Sequence, residues 1–250
     1  MKSLCAVLYV IICFLLSGCA TFEPREARSS TECCPPDSGS ANVPYASRWL
    51  PPNERGTSLP AYFRVTDQHG TAYTLEKFKG RPLALSFFYT SCQNTNKCLR
   101  VTRQMAALGN KLDSLQMEKQ VNLALVSYEP QIDTPQKLKQ YAEINDLRPS
   151  EHTFLLQIDQ QFRDELLDHL GVGVNFNDGR VNIHSIQMFL LDSQARVART
   201  YATLLWDNET VLHDIKRLLA EPTPRPFDSR RATGTVDASK KTSTLGSGEY

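Results

Sequence analysis

A dominant charge is missing from this chain: 28 basic against 27 acidic residues leave a formal net charge of +1, with no basic stripe along the sequence. A protein that grips a phosphate backbone needs such a stripe, so nucleic acid is excluded as a partner. No internal repeat is present either. Proline is absent from Ser150 to Glu221, and none of the seven cysteines stands in a Cys-x-x-Cys pair. The second absence removes the usual dithiol redox motif. Long apolar runs are lacking apart from residues 4–16, and that run is too short for a lasting transmembrane span.

What stands at the N-terminus has the layout of a secretion signal: Lys2, the apolar run, then the small residues Ser17 and Gly18. The tetrapeptide Leu16-Ser17-Gly18-Cys19 resembles the bacterial lipobox, in which the cysteine takes a diacylglycerol and becomes the mature N-terminus. The expectation is a signal peptide over 1–18, lipidation at Cys19, and an extracytoplasmic, periplasmic-side protein anchored to a membrane, inner or outer. Cys33, Cys34, Cys92 and Cys98 then remain as thiols in an oxidising compartment, open to disulfide, redox or metal chemistry. Residues 19–58 are rich in Pro, Ser, Glu and Arg and poor in large apolar side chains, so they read as a disordered tether. The Pro- and Ser/Thr-rich stretch 221–250 reads as a disordered tail. The folded domain is expected over 59–220.

Within that domain the patterns alternate. Short strands are expected at 61–66 and 72–75, and the apolar run 83–89 suits a strand buried on both faces. Val101, Met105, Leu108, Leu112 and Leu115 fall on one stripe of a helix over 99–115. A buried strand follows at 121–127, then a helix opened by Asp133-Thr134-Pro135 and running to about Asn145. A strand at 153–157, a helix at 160–170 stopped by Gly171, a hairpin of 186–191 with 197–201, and a closing helix at 208–219 complete the order. This succession is that of an α/β, thioredoxin-like fold: a central mixed sheet flanked by helices, with an extra N-terminal β-hairpin. Chemistry in such sheets collects at the carboxyl ends of the central strands, where 83–89 delivers Thr90, Ser91 and Cys92.

Cys92 and Cys98 lie between a buried strand and a helix, where the helix dipole favours thiolate over thiol. The five residues between them, Gln93 to Lys97, make a loop wider than the usual redox motif. It suits a stabilising disulfide, a redox-active catalytic pair, or two sulfurs bracketing an ion. His184 stands in the connection before strand 186–191, opposite the cysteine pair. Two thiolates and an imidazole suit copper and also zinc. Asp133 reads as a helix cap or as a carboxylate near the metal loop. His69, His152, His169 and His213 read as solvated, and Cys33-Cys34 lies in the tether.

The stretches Ser86-Phe87-Phe88-Tyr89-Thr90-Ser91-Cys92 with Cys98, Ser127-Tyr128-Glu129-Pro130 with Asp133-Thr134-Pro135, and Ile183-His184-Ser185 with Phe189-Leu190-Leu191-Asp192 occur in order over 60–219. In these the chain resembles the Sco/SenC family, thioredoxin-like copper chaperones that help load the binuclear copper centre of cytochrome c oxidase. The resemblance implies a copper ion, Cu(I) or Cu(II), held by Cys92, Cys98 and His184. It also implies a copper-accepting partner such as a cytochrome c oxidase subunit, a thiol-disulfide reductant, and a metallochaperone rather than an enzyme. The alternative is a thiol-disulfide reductase with Cys92 attacking and Cys98 resolving. Against the usual family pattern the cysteine loop is longer, Ile183 replaces an acidic residue before the histidine, and Glu129 replaces an aspartate before the proline.

Overall fold

The computed structural model describes residues 47–92, 94, 97–202 and 206–222. Its main sheet has seven strands in the order β2-β1-β5-β4-β3-β8-β9. These are β1 (Arg64–Asp67), β2 (Ala72–Thr74), β3 (Leu83–Phe88), β4 (Asn122–Ser127), β5 (Thr153–Ile158), β8 (Met188–Leu191) and β9 (Val197–Tyr201). Strands β3, β4 and β5 run parallel, while β8, β9, β1 and β2 join antiparallel on the two sides. The helices are α1 (Cys98–Ser114), α2 (Pro135–Ile144), α3 (Gln160–Leu170) and α4 (Asn208–Leu219). The fold is thus thioredoxin-like, a mixed sheet with helices as the crossover connections that parallel pairing requires.

Burial follows the sequence pattern. All six residues of β3 and all six of β4 are buried, as expected of strands covered on both faces. Helix α1 sets Val101, Met105, Leu108 and Leu112 against them. Gly109 lets α1 come close, because a Cβ there would stand 3.3 Å from a Leu123 methyl. Helix α3 ends at Gly171, whose φ of 64° is the left-handed C-cap that glycine adopts most easily. Among the described residues no helix is long and apolar enough to cross a membrane.

Three features differ from the sequence expectation. A second, two-stranded sheet pairs β6 (Val174–Asn177) with β7 (Arg180–His184) around Asp178-Gly179, both at positive φ. That turn is the Asp-Gly form that matches strand twist in two-residue hairpin connections. His184 therefore closes a strand instead of standing in a loop. The second difference is at the tether boundary, because residues 47–58 are laid along β9 and the β8–β9 turn. Ser47 N–H donates to the Thr200 carbonyl at 2.7 Å and Leu50 N–H to Ala198 at 2.9 Å. Finally, Thr134, not Asp133, caps α2, its side chain accepting from Lys137 N–H at 3.4 Å.

Arg55 secures the added segment. Its side chain is fully buried, with Nη1 2.9 Å from Asp192 Oδ2 and 2.7 Å from Glu221 Oε2. Asp192 also accepts from the backbone of Gln194 and Arg196 and from the Arg196 guanidinium. Burial alone would raise this carboxyl, but the Arg196 backbone, the two guanidiniums and the Gln194 N–H together hold it below the ordinary carboxylate range. A carboxyl lowered in the folded state contributes stability that is complete above its unfolded value of about 4 and is lost as pH falls through the folded value. Asp192→Asn should therefore cost about 1–3 kcal/mol near neutral pH. It should also flatten the decline of melting temperature below about pH 4, as thermal unfolding across an acid pH series would show.

Candidate metal centre

The site is assembled at the carboxyl end of β3. From Phe88 the chain turns through Tyr89, Thr90 and Ser91 to Cys92, whose N–H donates to the Tyr89 carbonyl at 3.4 Å. Cys92 is half-buried in a loop, while Cys98 is the first residue of α1 and buried. Only Cys98 thus receives the full benefit of the helix N-terminus. Cys92 and Cys98 are not joined in a disulfide. His184, at the end of β7, is buried.

The three side chains converge. Their ligating atoms all lie within 4.8 Å of one another, and the Cys98 Sγ to His184 Nε2 distance is 3.8 Å. His184 Nδ1 lies 3.0 Å from the Ser185 carbonyl. Because the Ser185 carbonyl can only accept, Nδ1 carries the proton shared with it, and Nε2 is the ring nitrogen turned to the sulfurs. A main-chain carbonyl so orients the imidazole where the residue before it, Ile183, offers no carboxylate. Tyr89 meets the imidazole edge-to-face at 5.7 Å between centroids, and Tyr128 covers it at 5.1 Å while donating its hydroxyl to the same Ser185 carbonyl at 3.2 Å.

Cys92 is pulled down to about 4. The hydrogen bond from Cys98 contributes most; burial opposes it, and hydrogen bonds from His184, Tyr89 and the Asn94 backbone add to the lowering. The lowering favours the thiolate at Cys92, the form in which a cysteine binds a cation.

Asp133 bonds to the loop that carries Cys92. Fully buried, it accepts from Thr90 N–H at 3.1 Å and from the Thr90 and Ser127 hydroxyls, so it holds the residue two places before Cys92. Burial raises its carboxyl above the ordinary range despite these hydrogen bonds. Tyr89 and Tyr128 are neighbours of the site that the sequence offered only within longer stretches, Tyr89 in Ser86–Cys92 and Tyr128 in Ser127–Pro130. Of the other histidines, His69 and His213 are exposed, and half-buried His152 sits by Arg81 and Asn122. Among the described residues, Cys92, Cys98 and His184 form the one cluster suited to a metal. Cys19, Cys33 and Cys34 lie outside the described residues.

In reduced, metal-free protein, iodoacetamide should modify Cys92 with a rate midpoint near pH 4. Cys98→Ala should move that midpoint upward by removing the largest contribution, whereas a parent midpoint of about 8.5, that of an ordinary thiol, would contradict the geometry.

Comparison with known proteins agrees with this architecture. No curated protein sequence matches the chain. Among solved structures, BsSco, described as a member of the Sco family of cytochrome c oxidase assembly proteins, superposes with a TM-score of 0.59 at 21% identity, covering 70% of this chain and 100% of that one. Bradyrhizobium japonicum ScoI with copper bound gives 0.50 at 26% identity, covering 65% and 99%. A SCO1/SenC family lipoprotein from Bacillus anthracis gives 0.56 at 23% identity, covering 65% and 95%. The family model described as SCO1/SenC matches residues 52–220, a span that holds every strand and helix among the described residues and all three clustered side chains. By that match the chain belongs to the SCO1/SenC family.

Proposed function

We propose that this chain is a copper chaperone: Cys92, Cys98 and His184 take a copper ion as cargo and pass it to, or prepare, the binuclear copper site of cytochrome c oxidase. The observation that carries the reading is the convergence of two sulfurs and one imidazole nitrogen within 4.8 Å. Thiolate is a soft ligand that favours Cu(I), and imidazole extends the set to Cu(II). Three protein donors leave the ion coordinatively open, so an acceptor's ligand can enter before any of these leave.

The burial pattern gives that exchange a direction. Cys98 and His184 are buried, whereas Cys92 is half-exposed, so an incoming thiol meets the ion on the Cys92 side. Copper bound to the Bradyrhizobium relative, and the oxidase-assembly role stated for BsSco, support the cargo and the client. A lipid on Cys19 would hold the domain at the extracytoplasmic face of a membrane; the lipoprotein relative from Bacillus anthracis supports that anchoring. Reduction of any Cys92–Cys98 disulfide by a thiol reductant must precede loading.

The second reading is thiol-disulfide exchange with Cys92 as attacking thiolate and Cys98 resolving. His184 separates the two. The reduced chain should retain one equivalent of copper against a competing chelator, and Cys92→Ser or Cys98→Ser should abolish this. His184→Ala should weaken retention by an order of magnitude or more, about 1.4 kcal/mol per factor of ten. Full retention without His184, together with disulfide turnover that vanishes in Cys92→Ser, would establish the reductase instead.

A further inference from the structure

We propose that Glu129 is the positioning residue that sets the distance between the cysteine loop and His184; this rests on the copper-chaperone reading for its consequence but not for its geometry. One carboxylate oxygen, Oε2, accepts from the Ser91 hydroxyl at 2.8 Å, immediately before Cys92. The other, Oε1, accepts from the Val181 N–H at 2.8 Å, on the strand that ends in His184. The side chain is 1% exposed, with the Arg180 Nε 4.0 Å from Oε1. A single carboxylate therefore bridges two ligand-bearing segments.

The bridge matters because β6 and β7 form a sheet of their own, unpaired with the seven-stranded one. An isolated two-stranded hairpin is marginal in water, so its pose depends on what clamps it to the body. Tyr128 and Glu129 are consecutive residues just beyond β4, and both reach across: the phenol to the Ser185 carbonyl, the carboxylate to Val181 N–H. Their own backbone is fixed. Tyr128 N–H donates to the Phe88 carbonyl at 2.8 Å, Glu129 N–H to the Ser127 hydroxyl at 3.0 Å, and the Glu129 carbonyl accepts from Ile132 and Asp133 at 2.9 Å each. A carboxylate held this way accepts at both oxygens and donates at neither, so it fits one hydroxyl and one amide donor.

Without the bridge Asp133 still holds the cysteine loop at Thr90, while the imidazole loses its register. Glu129→Ala should therefore act through His184. Cu(II) affinity should fall about 10–100-fold, the range for losing a residue that orients a ligand. The nitrogen hyperfine coupling in the Cu(II) electron paramagnetic resonance spectrum should disappear, and Glu129→Ala/His184→Ala should bind no worse than His184→Ala. Glu129→Gln, whose amide oxygen can accept from Val181 N–H and whose amide nitrogen can donate to the Ser91 oxygen, should restore both affinity and coupling. Ser91→Ala breaks one arm only and should give a smaller loss in the same direction, which keeps the test open if Glu129→Ala does not fold. In metal-free full-length chain, amide exchange at Val181 should accelerate in Glu129→Ala and stay slow in Glu129→Gln. Retained nitrogen coupling, additive losses in the double variant, or unchanged Val181 exchange would overturn the proposal. A parent that binds no copper but shows the exchange difference would instead overturn the chaperone reading and leave the clamp standing.

Discussion

The pairing of β3 with β4 on one side and β8 on the other is the constraint from which the site follows. Phe88 lies opposite Ser127 in the parallel pair, and Ser86 opposite Met188 in the antiparallel one. The carboxyl ends of β3 and β4 and the start of β8 therefore meet at one edge of the sheet. Tyr89 to Cys92, Tyr128 to Asp133 and His184 to Gln187 all emerge there. Cys98 and His184, 86 residues apart in sequence, approach to 3.8 Å as a result.

Such an edge gathers backbone groups that no strand partner can satisfy, and the chain meets them with buried carboxylates. Asp133 serves the main chain and hydroxyl of Thr90, and Glu129 serves Ser91 and Val181. Each leaves its neighbour's donors paired, which matters because an orphaned buried donor costs about 1–3 kcal/mol. The same arrangement stiffens the loop on which Cys92 sits. The apolar sheet fixes where the three segments emerge, and the carboxylates fix how far apart they stand.

Much of this was legible in the residues. The continuous apolar runs of β3 and β4, the stripe of α1 and the glycine stop of α3 all have strong periodic or compositional signals, and the structure keeps them to within a residue or two. The cysteines could be placed because they directly follow a buried strand. The β6–β7 hairpin was harder to read, since asparagines alternate with Val174, Phe176 and Val181 and leave little apolar weight. Its one clear signal is Asp178-Gly179. The docking of residues 47–58 depends on Arg55 meeting Asp192, 137 residues away, which no local pattern reports. Asp133 resembles a cap in sequence because it precedes Thr134-Pro135. Only the fold shows that Thr134 takes that role and frees Asp133 to face inward.

In the proposed function, two sulfurs and one imidazole nitrogen act as a single ligand set for copper. X-ray absorption spectroscopy of the copper-loaded chain measures that directly. The expected first coordination shell has two sulfur scatterers and one nitrogen scatterer, with the outer-ring scattering of an imidazole. A shell of oxygen and nitrogen donors without sulfur, or of sulfur alone in both oxidation states of copper, would contradict it.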